Sequence, residues 1–226
     1  MNIERKTSII TGVFFIIATA AYSSGVMLLD PITGSPDFLT RASENEIPLI
    51  MGALLVLIDS VAVAAIGIIL YPIFKNQNEA LGLGYAGARI IESALFILNV
   101  IFILTLLNLS REFSKAGIQD TSYYQALGTV LLAAGHWAYL MGLGLAFAIS
   151  ALILNYLLYR SKLVPRWISA LGFIGGVLVF VNFFLELFGY EPVEILFLPI
   201  AVQEMIFAVW LIVKGFNFSA IAGGDG

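Results

Sequence analysis

Five side chains able to carry charge or a proton stand inside long apolar runs: Asp59, Arg89, Glu92, His136 and Glu204. Ionisable groups in a membrane span are costly and usually face a protein interior or a wet cavity, which makes them default candidates for a binding site or proton relay. Arg89-Ile90-Ile91-Glu92 places opposite charges three residues apart. Spacings of three and four stack on one helical face, so Tyr85, Phe96 and Asn99 extend the face that carries Arg89 and Glu92. Tyr139 shares the face of His136 in the same way. The chemistry on offer is hydrogen bonding or ion pairing to a polar ligand, or proton passage among carboxylates and imidazole. A hydrolase would also need an activated nucleophile. No Gly-x-Ser-x-Gly elbow surrounds Ser60 or Ser150, so no residue is assigned a catalytic role.

The elements that must position these groups follow from composition. Of 226 residues 60% are hydrophobic and 12% charged, and the mean hydropathy is +0.98. Soluble domains carry about a quarter charged residues, so this balance indicates a polytopic membrane protein whose main surroundings are the lipid bilayer. The apolar runs are continuous rather than alternating, which excludes a β-barrel and makes the fold class all-α. With no cysteine and one histidine, cysteine chemistry, disulfides and multi-histidine metal centres are excluded, and no metal site is assigned. The net charge of -4 leaves no basic footprint for nucleic acid.

Six spans are expected, at about 9–29, 49–74, 80–109, 126–159, 168–188 and 194–214, forming a six-transmembrane-helix bundle and a single domain over 1–226. Ala18-Thr19-Ala20 resembles a signal cleavage site, but the apolar run continues past it, beyond the ~7–15 residues of a signal core. Lys75-Asn76-Gln77-Asn78-Glu79 is short enough only for a helical hairpin. Residues 110–125 read as a polar loop with room for a short interfacial helix, and the glycine-rich tail as frayed. Gly128, Gly135 and Gly142 recur every seventh position, and Gly172 and Gly176 are separated by three residues. Both patterns suit close helix packing. Gly82-x-Gly84-x-x-Gly87 matches the dinucleotide fingerprint letter for letter, but a helical hairpin precedes it and Leu107 stands where an acidic residue is needed. No cofactor is therefore expected.

Six spans put both termini on one side. Arg5, Lys6, Lys75, Arg160, Lys162, Arg166 and Lys214 fall on that side, against Arg41, Arg111 and Lys115 opposite. The positive-inside rule then predicts cytoplasmic termini, and Tyr71, Tyr156, Tyr159 and Trp167 would belong to the inner aromatic belt.

Counting ~1.5 Å of rise per residue sets the depths. Arg89 and Glu204 come out level near the terminal side, Asp59 and His136 level and deeper, and Glu92 between them. Because side chains lean toward their helix N-terminus, Arg89 is expected to pair with Glu204 and Glu92 to lie nearer Asp59.

The combination of Asp59, Leu70-Tyr71-Pro72-Ile73-Phe74-Lys75, Arg89 with Glu92, His136 with Tyr139-Leu140-Met141-Gly142-Leu143, and Tyr156-Leu157-Leu158-Tyr159-Arg160-Ser161 with Pro165-Arg166 resembles a bacterial integral membrane family known as domain of unknown function, family 4386. The resemblance covers nearly the whole chain. It implies a bacterial plasma membrane location and a bundle of about six helices, and suggests that Asp59, Arg89 and His136 are family features. It implies no particular activity.

Three functional readings remain open. A small molecule, lipid or proton is bound or conducted at the polar ladder. Alternatively the charges are structural, and the glycine stripe serves self-association or another partner helix. The third reading, an intramembrane enzyme, rests on His136, Asp59 and Glu92 with no complete motif around them.

Overall fold

Long apolar stretches with few helix breakers give long helices, and the computed structural model describes residues 3–116 and 121–218 as almost entirely helical. The elements are α1 (Ile3–Thr33), α2 (Phe38–Glu44), α3 (Glu46–Lys75), α4 (Glu79–Ala116), α5 (Thr121–Leu140), a π-helical segment Met141–Phe147, α6 (Ala148–Ser161), α7 (Arg166–Leu187), a 3-10 turn Glu194–Phe197 and α8 (Leu198–Val213). Among the described residues six helical stretches are long and apolar enough to cross a membrane, the fourth being Ser122–Ser161. Three prolines sit where their missing N–H does least harm, Pro48 in the first turn of α3, Pro165 just before α7 and Pro199 at the start of α8, whereas Pro31 and Pro72 lie inside α1 and α3 near their C-terminal ends.

The helices pack as a closed ring, α1 on α3, α3 on α4, α4 on α5 and the π segment, α6 on α7, α7 on α8, and α8 back on α1. Arg5 helps close it by donating to the carbonyls of Leu211 (3.1 Å) and Val213 (3.1 Å) at the C-terminal end of α8. Those carbonyls have no partner inside their own helix and form the negative pole of its dipole. The two largest of the buried apolar clusters lie at opposite ends of the bundle. On the terminal side Phe15, Leu70, Phe74, Leu158 and Phe207 pack together. On the opposite side Leu29, Leu49, Val56, Phe96 and Ile103 do so. Outward-facing residues such as Ile58, Val61, Ile68, Ile101 and Val130 are exposed. A lipid-facing bundle requires such a surface, since hydrocarbon is its solvent.

Two expected connections are largely helical instead. The polar loop foreseen at 110–125 is the end of α4 and the start of α5, with only 117–120 outside the described residues. Apolar content marks where a helix crosses lipid, not where it stops. At 38 residues α4 is about 57 Å long, well beyond the ~30 Å hydrocarbon layer, so its polar end projects into water. There Lys115 pairs with Glu112 at 2.9 Å, one turn apart. The stretch expected to link the first two spans contains α2, whose Phe38, Leu39 and Ala42 are buried. Ser110 of α4 donates to the Leu39 carbonyl. The glycine-rich tail beyond 218 lies outside the described residues.

A candidate ligand chamber inside the bundle

Between these two apolar clusters lies a cavity of about 320 Å3. Its floor is Arg89, which α4 delivers into the ring because Gly67 of α3 has no side chain. A Cβ on Gly67 would come within 2.8 Å of the Arg89 Cβ. Arg89 is buried: Nη1 donates to both carboxylate oxygens of Glu92 at 3.1 Å, and Nε to the Tyr85 hydroxyl at 3.3 Å. Nη2 faces Glu204 of α8 at 3.6 Å. The rings of Phe15, Tyr85 and Phe147 lie 5.4–5.8 Å from the guanidinium carbon. This is cation–π range and offsets part of the desolvation cost.

Here the structure corrects the expected division of partners. Arg89 does face Glu204, but its tightest contact is Glu92 one turn along its own helix. Backbone lean predicts where Cβ points; the long arginine side chain bends back over its own turn, and the planar fork finds the nearest carboxylate. Glu92 is thereby hydrogen-bonded to Arg89, while it shares the cavity with Asp59 as expected.

Asp59 of α3 lines the same cavity at 3% exposure. Its Oδ2 has no hydrogen-bond partner. An unmade hydrogen bond on a buried group costs about 1–3 kcal/mol, so a persistent orphan acceptor calls for a reason.

His136 does not accompany Asp59. Its Nε2 lies 2.8 Å from Glu186 of α7, with the imidazole side chain 51% exposed. The depth estimate misplaced it because α5 starts earlier than expected and projects from the bundle. Counted from the shared turn between α6 and α7, His136 and Glu186 differ by five residues, more than one helical turn, so rise per residue does not identify the pair. His136 instead borders a second cavity of about 460 Å3 toward the opposite face, lined also by Asp30, Thr33 and Asn99. Asn99 donates to the Gly135 carbonyl at 2.9 Å, tying α4 to α5.

Tyr22, Phe96 and Tyr139 line both cavities. Their rings stack with centroids 5.7–6.5 Å apart and planes within 18° of parallel, forming a shared aromatic wall. Tyr22 was not foreseen from sequence, since a tyrosine in an apolar run carries no signal of its own. Tyr139 near the end of α5 is followed at intervals of four by Leu143 and Phe147 of the π segment, and all three line the chamber. The wider π turn keeps residues four apart on one face, and such segments recur at functional sites. Ser23 of α1 and Ala201 of α8 line the chamber while remaining exposed. Nearer the terminal face a Cβ on Gly12 would come within 2.6 Å of the Ala208 carbonyl, so α1 and α8 are close there. The open side of the chamber is the seam between these two helices.

The glycine stripe is occupied within the chain. Gly128 faces the Phe38 ring, a Cβ on Gly135 would come within 3.2 Å of Asn99, and one on Gly142 within 2.9 Å of Phe96. Gly172 makes room for the buried Asn155 amide, and Gly176 packs near Leu152. Asn155 in turn accepts a hydrogen bond from Gln203 of α8 at 3.2 Å.

Six apolar crossings around a polar interior define the class: a multi-pass, all-α membrane protein. The chain belongs to the family described as a domain of unknown function (DUF4386), whose model matches residues 10–215. A 75-residue stretch is 35% identical to an uncharacterized protein from Archaeoglobus fulgidus, covering 33% of this chain and 45% of that protein. The match thus spans less than half the length of this curated relative. No solved structure matches the chain.

Proposed function

We propose that the protein binds a small molecule in the chamber between its helices, in a plasma membrane with both termini in the cytoplasm. The observation that carries this reading is Asp59, almost wholly buried and without a hydrogen-bond partner at Oδ2, lining a 320 Å3 cavity together with Arg89, Glu92 and Glu204. A purely structural charge network seals itself, each group finding a partner because an orphan destabilises the fold. The Arg89 cluster follows that rule and Asp59 does not. The volume falls at the small end of ligand pockets, about 300–1,000 Å3. The seam between α1 and α8 supports entry from the bilayer, and the aromatic wall toward the second cavity offers a route onward.

The chain has no cysteine, so single cysteines can report access without background. Asp59→Cys and Thr19→Cys should react with a small methanethiosulfonate reagent in detergent or nanodiscs. Filling the chamber with Ala201→Trp should slow both reactions. If neither thiol reacts while an outward-facing Tyr156→Cys control does, the chamber is sealed and the proposal fails.

A further inference from the structure

Resting on the chamber as a ligand site, we infer that its ligand is a small lipophilic organic cation, an amine whose ammonium group sits on the Asp59 carboxylate with its apolar part against Tyr22 and Phe96.

Charge inventory sets the sign of the ligand. Three carboxylates, Asp59, Glu92 and Glu204, share the cavity with a single cation, Arg89. That cation is spoken for: Glu92 takes Nη1, Glu204 faces Nη2 and Tyr85 takes Nε. The remaining donors of the chamber, the hydroxyls of Thr19, Tyr22, Ser23 and Tyr139, are neutral, so no second positive charge is present to balance an anionic headgroup. The acceptor left over is Asp59 Oδ2. A ligand that brings N–H donors and a positive charge completes this side of the chamber, since hydrogen bonds to ionised partners are about twice as strong as neutral ones.

The walls set the rest of the ligand. Val63, Ile66, Leu143 and Phe147 are apolar, while Tyr22, Phe96 and Tyr139 offer ring faces. Aromatic faces attract cations by about 0.5–2 kcal/mol, and more as water is excluded. A bare metal ion does not suit the site. Among the described residues no three of His, Cys, Asp or Glu are grouped to hold one, and divalent cations prefer several oxygen ligands. A hydrated ion would also leave the apolar wall unused. An amine carrying a ring or short chain uses both halves, and its apolar part lets it reach the seam between α1 and α8 from the lipid.

The test uses three probes of one shape in nanodiscs at neutral pH, with empty nanodiscs as blank: 2-phenylethylammonium, neutral 2-phenylethanol and anionic phenylacetate, each titrated calorimetrically. The wild-type protein should bind the ammonium at least about tenfold more tightly than the alcohol, a difference of about 1.4 kcal/mol, and the carboxylate most weakly. Asp59→Asn should reduce ammonium affinity to that of the alcohol and leave the alcohol within about twofold. Equal binding of ammonium and alcohol by the wild-type protein overturns the inference without any variant having to fold. So does unchanged ammonium binding by Asp59→Asn. Absence of ammonium binding also overturns it. If Asp59→Cys is labelled in that case, the chamber stands and only its ligand class is wrong.

Discussion

Arg89 and Arg111 are both held by glutamates, yet they stand at opposite ends of the energetic scale. Arg111 meets Glu46 in a two-pronged pair, Nε to Oε1 at 2.9 Å and Nη2 to Oε2 at 2.8 Å, joining α4 to α3 at the bundle rim. Both side chains are substantially exposed, 42% and 36%. Arg89 makes longer contacts, 3.1 Å to Glu92 and 3.6 Å to Glu204, at 3% side-chain exposure. The better geometry belongs to the pair that matters less. Water already solvates the rim charges and screens them, so the pair adds little beyond what each ion has alone. In the chamber floor neither ion has water to fall back on, and removing one strands the others.

The contrast breaks first at Arg89. Arg89→Met leaves Glu92 and Glu204 without their shared cation and should lower stability by about 3–5 kcal/mol. In detergent this would appear as a large drop in thermal midpoint or loss of the monodisperse peak. A midpoint like that of the wild type would mean the cluster does not hold the bundle together. Next comes Gly67→Leu, which forces α3 away from the Arg89 stem; overpacking of this kind costs about 1–3 kcal/mol, read from the same melt. His136→Ala should lower the midpoint by less, because the imidazole is half exposed and its loss removes a single link between α5 and α7. Arg111→Ala should have the smallest destabilising effect, and whatever difference it shows should vanish in high salt. Asp59→Asn sharpens the comparison through its sign. Its carboxylate has an orphan oxygen, so the substitution should leave the midpoint unchanged or raise it, whereas a drop as large as that of Arg89→Met would place Asp59 in the structural network.

The polar residues of the chamber floor were legible because each violates the apolar composition of a span. Arg89, Glu92, Asp59 and Glu204 could be picked out one by one, and rise per residue placed Arg89 level with Glu204. Residues ordinary for a membrane helix gave no such warning. Tyr22, Phe147 and Gly67 shape the chamber, but a tyrosine, a phenylalanine and a glycine among apolar neighbours fit many roles. The error at His136 has a definite source. Polar residues 110–125 suggested a loop, the helices on either side were cut short, and the depths counted from those ends shifted with them. Arg5 was read only as a topology charge, and its hydrogen bonds to the end of α8 depend on a ring closure between the first and last helices.

By itself the sequence determined that this chain is a six-crossing helical membrane protein carrying a few costly charges in its interior, because hydropathy over ~20 residues and the rarity of ionisable groups in lipid are properties of the linear chain. Helix rotation, helix length beyond the bilayer and the bend of long side chains are not linear properties. Only the folded ring decided that Arg89 turns to Glu92 as well as Glu204, that His136 answers Glu186, and that the glycine stripe is filled by the chain's own helices. It also left Asp59 lining a cavity with Oδ2 unpaired, while Arg89, the cation of that cavity, pairs with Glu92 and faces Glu204.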